Sequence, residues 1–304
     1  MITPPNTQNT HSVISGVSFM CLGVLLLPIM DAFAKHLGAD LSAGVIAWWR
    51  FTLQCLLLLP VIFLLGKWHV PHRGALVQIL PGAFVALATA CFFQSLQFMS
   101  MAKALTIFFV SPLLLTLLSA LFLGETLRLR RISALLMGFI GAIIVVRPAS
   151  IDFELISLLP MTSALCFALY FLLLRHVGGR THPLMTQFLV GIGAWMFLSI
   201  AVIAAFFLED SLVLFDFVVP KPEHYPFLFG IGIIAVVGHT LLASAVAQVP
   251  ANLLAPLAYI ELLSAIALGY FWFDEIPDQY TIIGGSIIIA SGIYVVYREQ
   301  KSQQ

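Results

Sequence analysis

An ungapped shift of 150 positions lays the second half of this chain over the first, and the shift covers an odd number of apolar segments. Ser119-Ala-Leu-Phe-Leu-Gly-Glu125 falls on Gly269-Tyr-Phe-Trp-Phe-Asp-Glu275, while Ile143, Val145 and Val146 fall on Ile293, Val295 and Val296. Five segments separate equivalent positions, so two copies threaded through one bilayer must cross it in opposite senses. Inverted repeats of this kind hold a polar site between the halves near mid-bilayer.

With 61% hydrophobic and 9% charged residues, the chain lies far outside the soluble range, where about 25% of residues are charged. A hydrocarbon core takes roughly 20 apolar residues as helix, and the alternating strand-length segments of a barrel are absent. The apolar runs predict an all-α membrane protein with ten transmembrane helices, at about 13–36, 43–66, 76–98, 102–123, 132–147, 154–174, 184–208, 226–247, 251–273 and 280–297. The domain organisation is then a polar cytoplasmic tail over 1–12, a first five-helix repeat over 13–147, a second inverted five-helix repeat over 152–297, and a cytoplasmic tail over 298–304. The fifth run stops at Arg147-Pro148, where proline ends the helix and the arginine can reach the headgroups. Loops are short except from Glu209 to Pro226, whose three prolines and four acids read as a surface loop.

Formal net charge is zero, but the basic residues are unevenly placed. With the N-terminus inside, Lys67, Arg73, Arg128, Arg130, Arg131, Arg175, Arg180, Arg298 and Lys301 fall on cytoplasmic segments, against Lys35, Lys103, Arg147 and Lys221 on the other side. Nine against four predicts both termini in the cytoplasm. These residues act as topological anchors, and nucleic acid is not an expected partner. The tail up to His11 has no Lys or Arg, and the first apolar run is too long for a signal peptide, so it is expected to be retained as span one. Cys21, Cys55, Cys91 and Cys166 sit in four different runs without metal-type spacing and read as buried small hydrophobes. No metal or cofactor is implied.

Gly124-Glu125 at the close of span four, the basic loop after it and Gly138-x-x-Gly141 of span five resemble the EamA family of the drug/metabolite transporter superfamily. Trp272-Phe-Asp-Glu275-Ile-Pro with Gly284-Gly285 repeats the pattern, with Asp274 where glycine is usual. The resemblance covers roughly residues 13–297. It implies two bundles of five helices, with spans one to four and six to nine enclosing a central cavity and spans five and ten peripheral. Met30-Asp31-Ala-Phe-Ala-Lys35 and Trp48-Trp49-Arg50-Phe51 are similar to a branch that includes carriers of S-adenosylmethionine and of riboflavin.

The repeat also separates scaffold from function, because residues the fold needs should recur in both copies whereas a substrate need not be symmetric. Three ionisable residues deep in spans break the symmetry. Glu261 aligns with Ser111; matching Lys35–Gly38 to Arg175–Gly178 sets Asp31 opposite Phe171, and a similar shift sets Arg50 opposite Gly191. At about 1.5 Å per residue, Arg50 lies roughly 12 Å below the end of span two, Glu261 lies near the middle of span nine, and Asp31 sits about one turn inward of Lys35. A charge at the bilayer centre costs about 2.5 to 3.5 kcal/mol on insertion scales and usually marks a pathway. The competing assignment is structural: Asp31 and Lys35 are four apart on one helix face, and Arg50 can neutralise either acid simply to hold spans together.

Arg50 is the candidate anion receptor, its planar fork suited to carboxylate or phosphate. Glu261 and Asp31 are candidates for a cationic group, and Glu261, with no local basic partner, is also the candidate for proton coupling. Gln94 and Gln97 share a face of span three and His239 lies in mid span eight, where hydrogen bonding to a neighbouring helix is the commoner role. Trp48, Trp49, Phe92, Phe93, Tyr170 and Tyr259 are candidates to wall the cavity and stack on a planar ligand. Trp68, Trp195 and Trp272, towards span ends, are expected as interfacial anchors. Pro112 and Pro256 are candidate hinges. The glycines of spans five and ten suit close helix contact, within the bundle or in a homodimer.

These features point to a secondary-active transporter that moves a small polar or zwitterionic organic metabolite across a bacterial inner membrane by alternating access. Amino-acid-like, nucleoside-like and S-adenosylmethionine-like compounds all fit. No Gly-x-x-x-x-Gly-Lys-Ser/Thr loop is present to bind ATP, so a proton gradient, exchange or the substrate's own gradient must supply the energy. The alternatives are a channel or non-transporting membrane receptor, and an intramembrane enzyme. No His-Glu-x-x-His or Gly-x-Ser-x-Gly occurs to support the last, and channels usually close rings of like residues from several subunits.

Overall fold

The computed structural model describes residues 7–68, 75–123, 129–147, 155–177, 182–207, 213–249, 254 and 257–303. Its helices are α1 (Thr7–Leu37), α2 (Ala43–Leu64), α3 (Ala75–Phe98), α4 (Met101–Phe108), α5 (Ser111–Leu123), α6 (Leu129–Val146), α7 (Leu158–Val177), α8 (Pro183–Phe207), α9 (Tyr225–Gln248), α10 (Ile260–Phe273) and α11 (Gln279–Gln303). No strand occurs among the described residues. Seven stretches are long and apolar enough to cross a membrane: Ile14–Leu37, Ala43–Leu64, Ile79–Phe98, Met101–Phe122, Leu155–Leu174, Pro183–Phe207 and Pro222–Gln248. Leu136–Val146, Ile260–Phe273 and Gln279–Tyr294 are apolar but shorter, at 10–17 residues.

Helix boundaries differ from the expected ones where polar residues carry a helix past its apolar stretch. α1 begins at Thr7 and α11 runs to Gln303, so much of each expected tail is helical. Span four, expected as one rod, is two helices with a turn at Phe109-Val110 between them. Ser100 begins the first of these, its hydroxyl accepting from the Lys103 N–H at 3.3 Å. Pro112 occupies the second position of α5, where its missing N–H costs nothing. Arg147 has a positive φ of 52° just past α6, and its guanidinium pairs with Asp278 and lies 4.4 Å from the Tyr280 ring centre. It therefore ties α6 to α11, where the sequence pointed it at headgroups.

Packing follows a simple pattern. α1 lies along α9 and α10, α2 along α8 and α9, α3 along α7 and α8, α5 along α7, and α6 along α11. Helices of the first half thus pack chiefly on helices of the second. The backbones of α3 and α8 come close together: a Cβ at Gly82 would strike the backbone of Val190 and Ala194, and one at Gly193 the carbonyl of Ile79. Only glycine lets these two backbones meet. The described part of the long loop after α8 is mostly exposed, as expected, over 216–219 and 221–223, but it is pinned to the bundle at its start. Phe215 is buried beside Gly44, and the Ser42 hydroxyl donates to the Asp216 carbonyl at 2.7 Å.

Candidate functional site

Arg50 comes from the middle of α2 and is 4% exposed. Its Nη1 donates to Thr89 Oγ1 on α3 at 3.0 Å, and its guanidinium carbon lies 4.3 Å from the centre of the Phe51 ring. The Thr89 hydroxyl in turn donates to the Val85 carbonyl at 2.8 Å. Arg50 Nε is buried with no hydrogen-bond partner among the described residues. The charge of Arg50 acts on Asp31 of α1, Tyr170 of α7 and His239 of α9, and that of Asp31 acts on Glu261 of α10. Side chains from five helices therefore form one electrostatic cluster inside the bundle. Asp31 is buried and Glu261 half-buried, and neither makes a hydrogen bond or an ion pair within 4.0 Å among the described residues.

The structural assignment for Asp31 is not the one formed. Lys35 turns away from it: Nζ meets Glu275 Oε1 at 2.7 Å and donates to the carbonyls of Leu96 at 2.6 Å and Met99 at 2.8 Å. Glu275 Oε2 accepts from the Met101 N–H at 2.9 Å. This knot joins the ends of α1, α3, α4 and α10 one turn beyond Asp31. Asp274 explains how Glu275 gets there. It ends α10 in the left-handed conformation, φ 53°, which suits glycine and is tolerated by Asp, and the Glu275 N–H then bonds back to the Gly269 carbonyl at 2.9 Å.

The other candidates divide. His239 Nδ1 donates to the Ala235 carbonyl at 2.8 Å, which leaves Nε2 for another partner. Gln94 is buried on α3, and Trp49 packs edge-on against Trp48 and Tyr225 with its indole N–H buried and unpartnered. Trp48, by contrast, is structural, donating to Ser199 Oγ at 2.8 Å. Tyr259 packs against Phe109 at the end of α4, and its hydroxyl lies against Gly292 of α11. Trp272, expected as an anchor, stacks with Phe273 and meets Phe33 edge-on. Pro112 is exposed beside the span-four turn, and Pro256 lies outside the described residues. Thr89 was missed, because a lone threonine in an apolar run carries no signal until Arg50 is seen beside it.

Two cavities lie elsewhere. One of about 360 Å³ is lined by Ser133, Met137, Ile287, Ala290, Ser291 and Tyr294, and one of about 230 Å³ by His36, Leu37, Asp40, Glu223, His224 and Phe227. Neither includes a member of the Arg50 cluster.

Long apolar helices around a buried, partly unpaired set of charges define a multi-pass α-helical membrane protein with a polar interior. The chain belongs to the EamA-like transporter family, whose model matches residues 14–147 and again 155–298. It is 26% identical over 302 residues to an S-adenosylmethionine uptake transporter of Rickettsia bellii, covering 96% of each chain. It is 28% identical over 281 residues to the pseudopaline exporter CntI of Pseudomonas aeruginosa, covering 92% of this chain and 95% of that one, and 24% identical over 299 residues to a riboflavin transporter of Vibrio cholerae, covering 97% of each. A crystal structure of a protein 16% identical superposes with a TM-score of 0.63, covering 97% of this chain and 99% of the other, and so shares the fold.

Proposed function

We propose that this protein is a secondary-active carrier of a small zwitterionic or polar organic metabolite, working by alternating access in a bacterial inner membrane. The observation that carries this is the cluster of Arg50, Asp31 and Glu261, drawn from both halves of the chain into the interior of a membrane bundle. If all three are charged, the set holds one cation against two anions. A substrate with a carboxylate for Arg50 and an ammonium or other cationic centre for the acids completes the pairing. S-adenosylmethionine-like and amino-acid-like solutes meet that description. The relatives' names, which include an uptake transporter and an exporter, leave direction open.

Ten spans, in two inverted five-helix units with both termini cytoplasmic, are the architecture we infer. The three shorter apolar helices supply the spans beyond seven. Support comes from the packing: number the spans in order, with α4 and α5 together as span four, and shift each number by five. The α1–α9 pair becomes α7–α3, α2–α9 becomes α8–α3, α1–α10 becomes α7–α5, and α2–α8 and α6–α11 return themselves, all of which occur. A two-fold relation between halves has this consequence. In this arrangement the Lys35–Glu275 knot closes the periplasmic end, Glu261 is the candidate proton carrier, and no enzymatic step is involved.

The test is uptake into proteoliposomes of labelled S-adenosylmethionine, riboflavin, nucleosides and amino acids, with and without a pH gradient. Glu261→Gln should cut flux at least about tenfold while leaving the folded yield intact, since it removes a charge the substrate or proton must meet. Wild-type flux in that variant for every transported compound would remove Glu261 from the mechanism, and no flux of any compound would remove the carrier.

A further inference from the structure

Arg50 is more tightly specified than an anion receptor needs to be, and one of its restraints, Thr89, is a residue that no sequence pattern singles out. One nitrogen is taken by Thr89, whose own proton is committed to the Val85 carbonyl, so the hydroxyl faces Arg50 as an acceptor with a fixed direction. One face of the plane is covered by Phe51. Nε is sealed from water and has no acceptor, and Asp31, whose charge Arg50 feels, stands beyond 4.0 Å ion-pair distance. An unpaired, buried, charged donor is costly, and folding alone gives no reason to keep it.

We infer that Thr89 is a positioning residue for Arg50: it holds the guanidinium by Nη1 so that the Nε–Nη2 edge stays unfilled and receives a substrate carboxylate side-on when the bundle admits one. The inference rests on the carrier proposed above, with Arg50 as its anion receptor. Carboxylates bind guanidinium through two parallel N–H bonds, and the geometry of that fork sets the orientation of the whole ligand. A threonine that fixes the rotation of the fork therefore contributes to specificity without touching substrate.

The test compares Thr89→Val, which keeps the shape and loses the hydroxyl, with Thr89→Ser, which keeps the hydroxyl. The full chain in nanodiscs is treated with phenylglyoxal, which modifies arginine, and the rate at Arg50 is read by peptide mass spectrometry. Freed from its hydrogen bond to a neutral acceptor, Arg50 in Thr89→Val should react about tenfold faster than wild type, and Thr89→Ser should match wild type. An unchanged rate in Thr89→Val, or equal acceleration in both variants, overturns the positioning role. S-adenosylmethionine is then added as the carboxylate probe to the wild-type protein. Slower modification supports occupancy of the free edge; no slowing, together with acceleration in Thr89→Val, removes the carboxylate from Arg50 and leaves the hold by Thr89 standing.

Discussion

The Lys35–Glu275 knot makes a quantitative prediction about opening of the bundle. All three N–H groups of Lys35 are used, by Glu275 at 2.7 Å and by two carbonyls at 2.6 and 2.8 Å, and the second carboxylate oxygen holds the Met101 N–H at 2.9 Å. The two side chains are 14% and 18% exposed, so water screens the pair weakly. Glu275→Gln keeps the shape but removes the charge, and its amide must turn one N–H toward a donor. One charge-assisted bond is lost, worth about 2 kcal/mol, or roughly thirtyfold in an equilibrium constant. Lys35→Met leaves Glu275 Oε1 and both carbonyls without their donor, the carboxylate keeping only the Met101 N–H, and costs more, about 3 to 5 kcal/mol.

If the knot closes one end of the carrier, that loss falls on the closed state alone and appears as more frequent opening there. Hydrogen exchange in nanodiscs reads this directly. Amides in 93–104 and 270–279 should exchange roughly thirtyfold faster in Glu275→Gln, while those at the α6–α11 contact, in 136–146 and 282–294, should not change. Combining both substitutions should cost less than the sum, because the second removes a group already left alone. Equal acceleration everywhere would make the knot a general stabiliser, and unchanged exchange at both ends would refute closure by this pair.

Other predictions test the scaffold and the site separately. Gly193→Ala drives a methyl into the Ile79 carbonyl and should cost at least about 1 to 3 kcal/mol, seen as a lower Tm and reduced monodisperse yield; a neutral result would mean α3 and α8 are not in close contact. Asp278, in the loop before α11, is half-open to solvent: burial raises its pKa, but its bonds to Thr281 and then the charges of Arg147 and Lys103 outweigh this and hold it below 3.8. The charged form is favoured by the fold, so its stabilisation is present above that value and lost as pH falls through the lower, native one. Asp278→Asn should therefore lower Tm at neutral pH and lose less on acidification below about pH 4 than wild type, and parallel Tm–pH curves would refute this. Arg50→Lys keeps the charge without the fork and should raise KM about tenfold or more for a carboxylate-bearing substrate with little change in maximal rate; an unaltered KM counts against bidentate recognition.

What the sequence made legible were the features that repeat and the features that break the repeat. Apolar length located the helices, and the mismatch of Asp31, Arg50 and Glu261 with Phe171, Gly191 and Ser111 picked out side chains that converge on one cluster. Pairings between distant residues were not legible. Lys35 has Asp31 four residues away, yet bonds to a glutamate 240 positions on, because α10 ends in a left-handed turn that delivers Glu275 beside the ends of α3 and α4. Local spacing favoured the wrong acid. The break at Phe109-Val110 was hidden for a different reason: its residues are as apolar as their neighbours, and only Ser111-Pro112, at the start of α5, hints that a second helix begins within the run.

The Lys35–Glu275 knot and the Arg50 cluster treat their charges differently, and the difference argues for function. In the Lys35–Glu275 knot the Lys35 N–H groups and the Met101 N–H all have acceptors, as expected of contacts whose role is to hold, although Gln97 Nε2 beside Gly38 is buried without one among the described residues. In the interior Arg50 Nε and the Trp49 indole are buried without partners among the described residues, and Asp31 and Glu261 have no base within 4.0 Å among them. Unpaired buried groups lower stability by about 1 to 3 kcal/mol each, more if charged. A fold selected only for stability would have replaced Arg50 with an apolar residue, as the second copy does with Gly191. The retained cost is intelligible if a solute supplies the missing partners for part of a cycle. On that account wild-type protein should gain thermal stability from its substrate, whereas a variant with Arg50, Asp31 and Glu261 made Met, Asn and Gln should be at least as stable when empty and show no such gain. A triple variant that unfolds far below wild type would mean the charges serve the scaffold, and the case for a central binding site would fail with it.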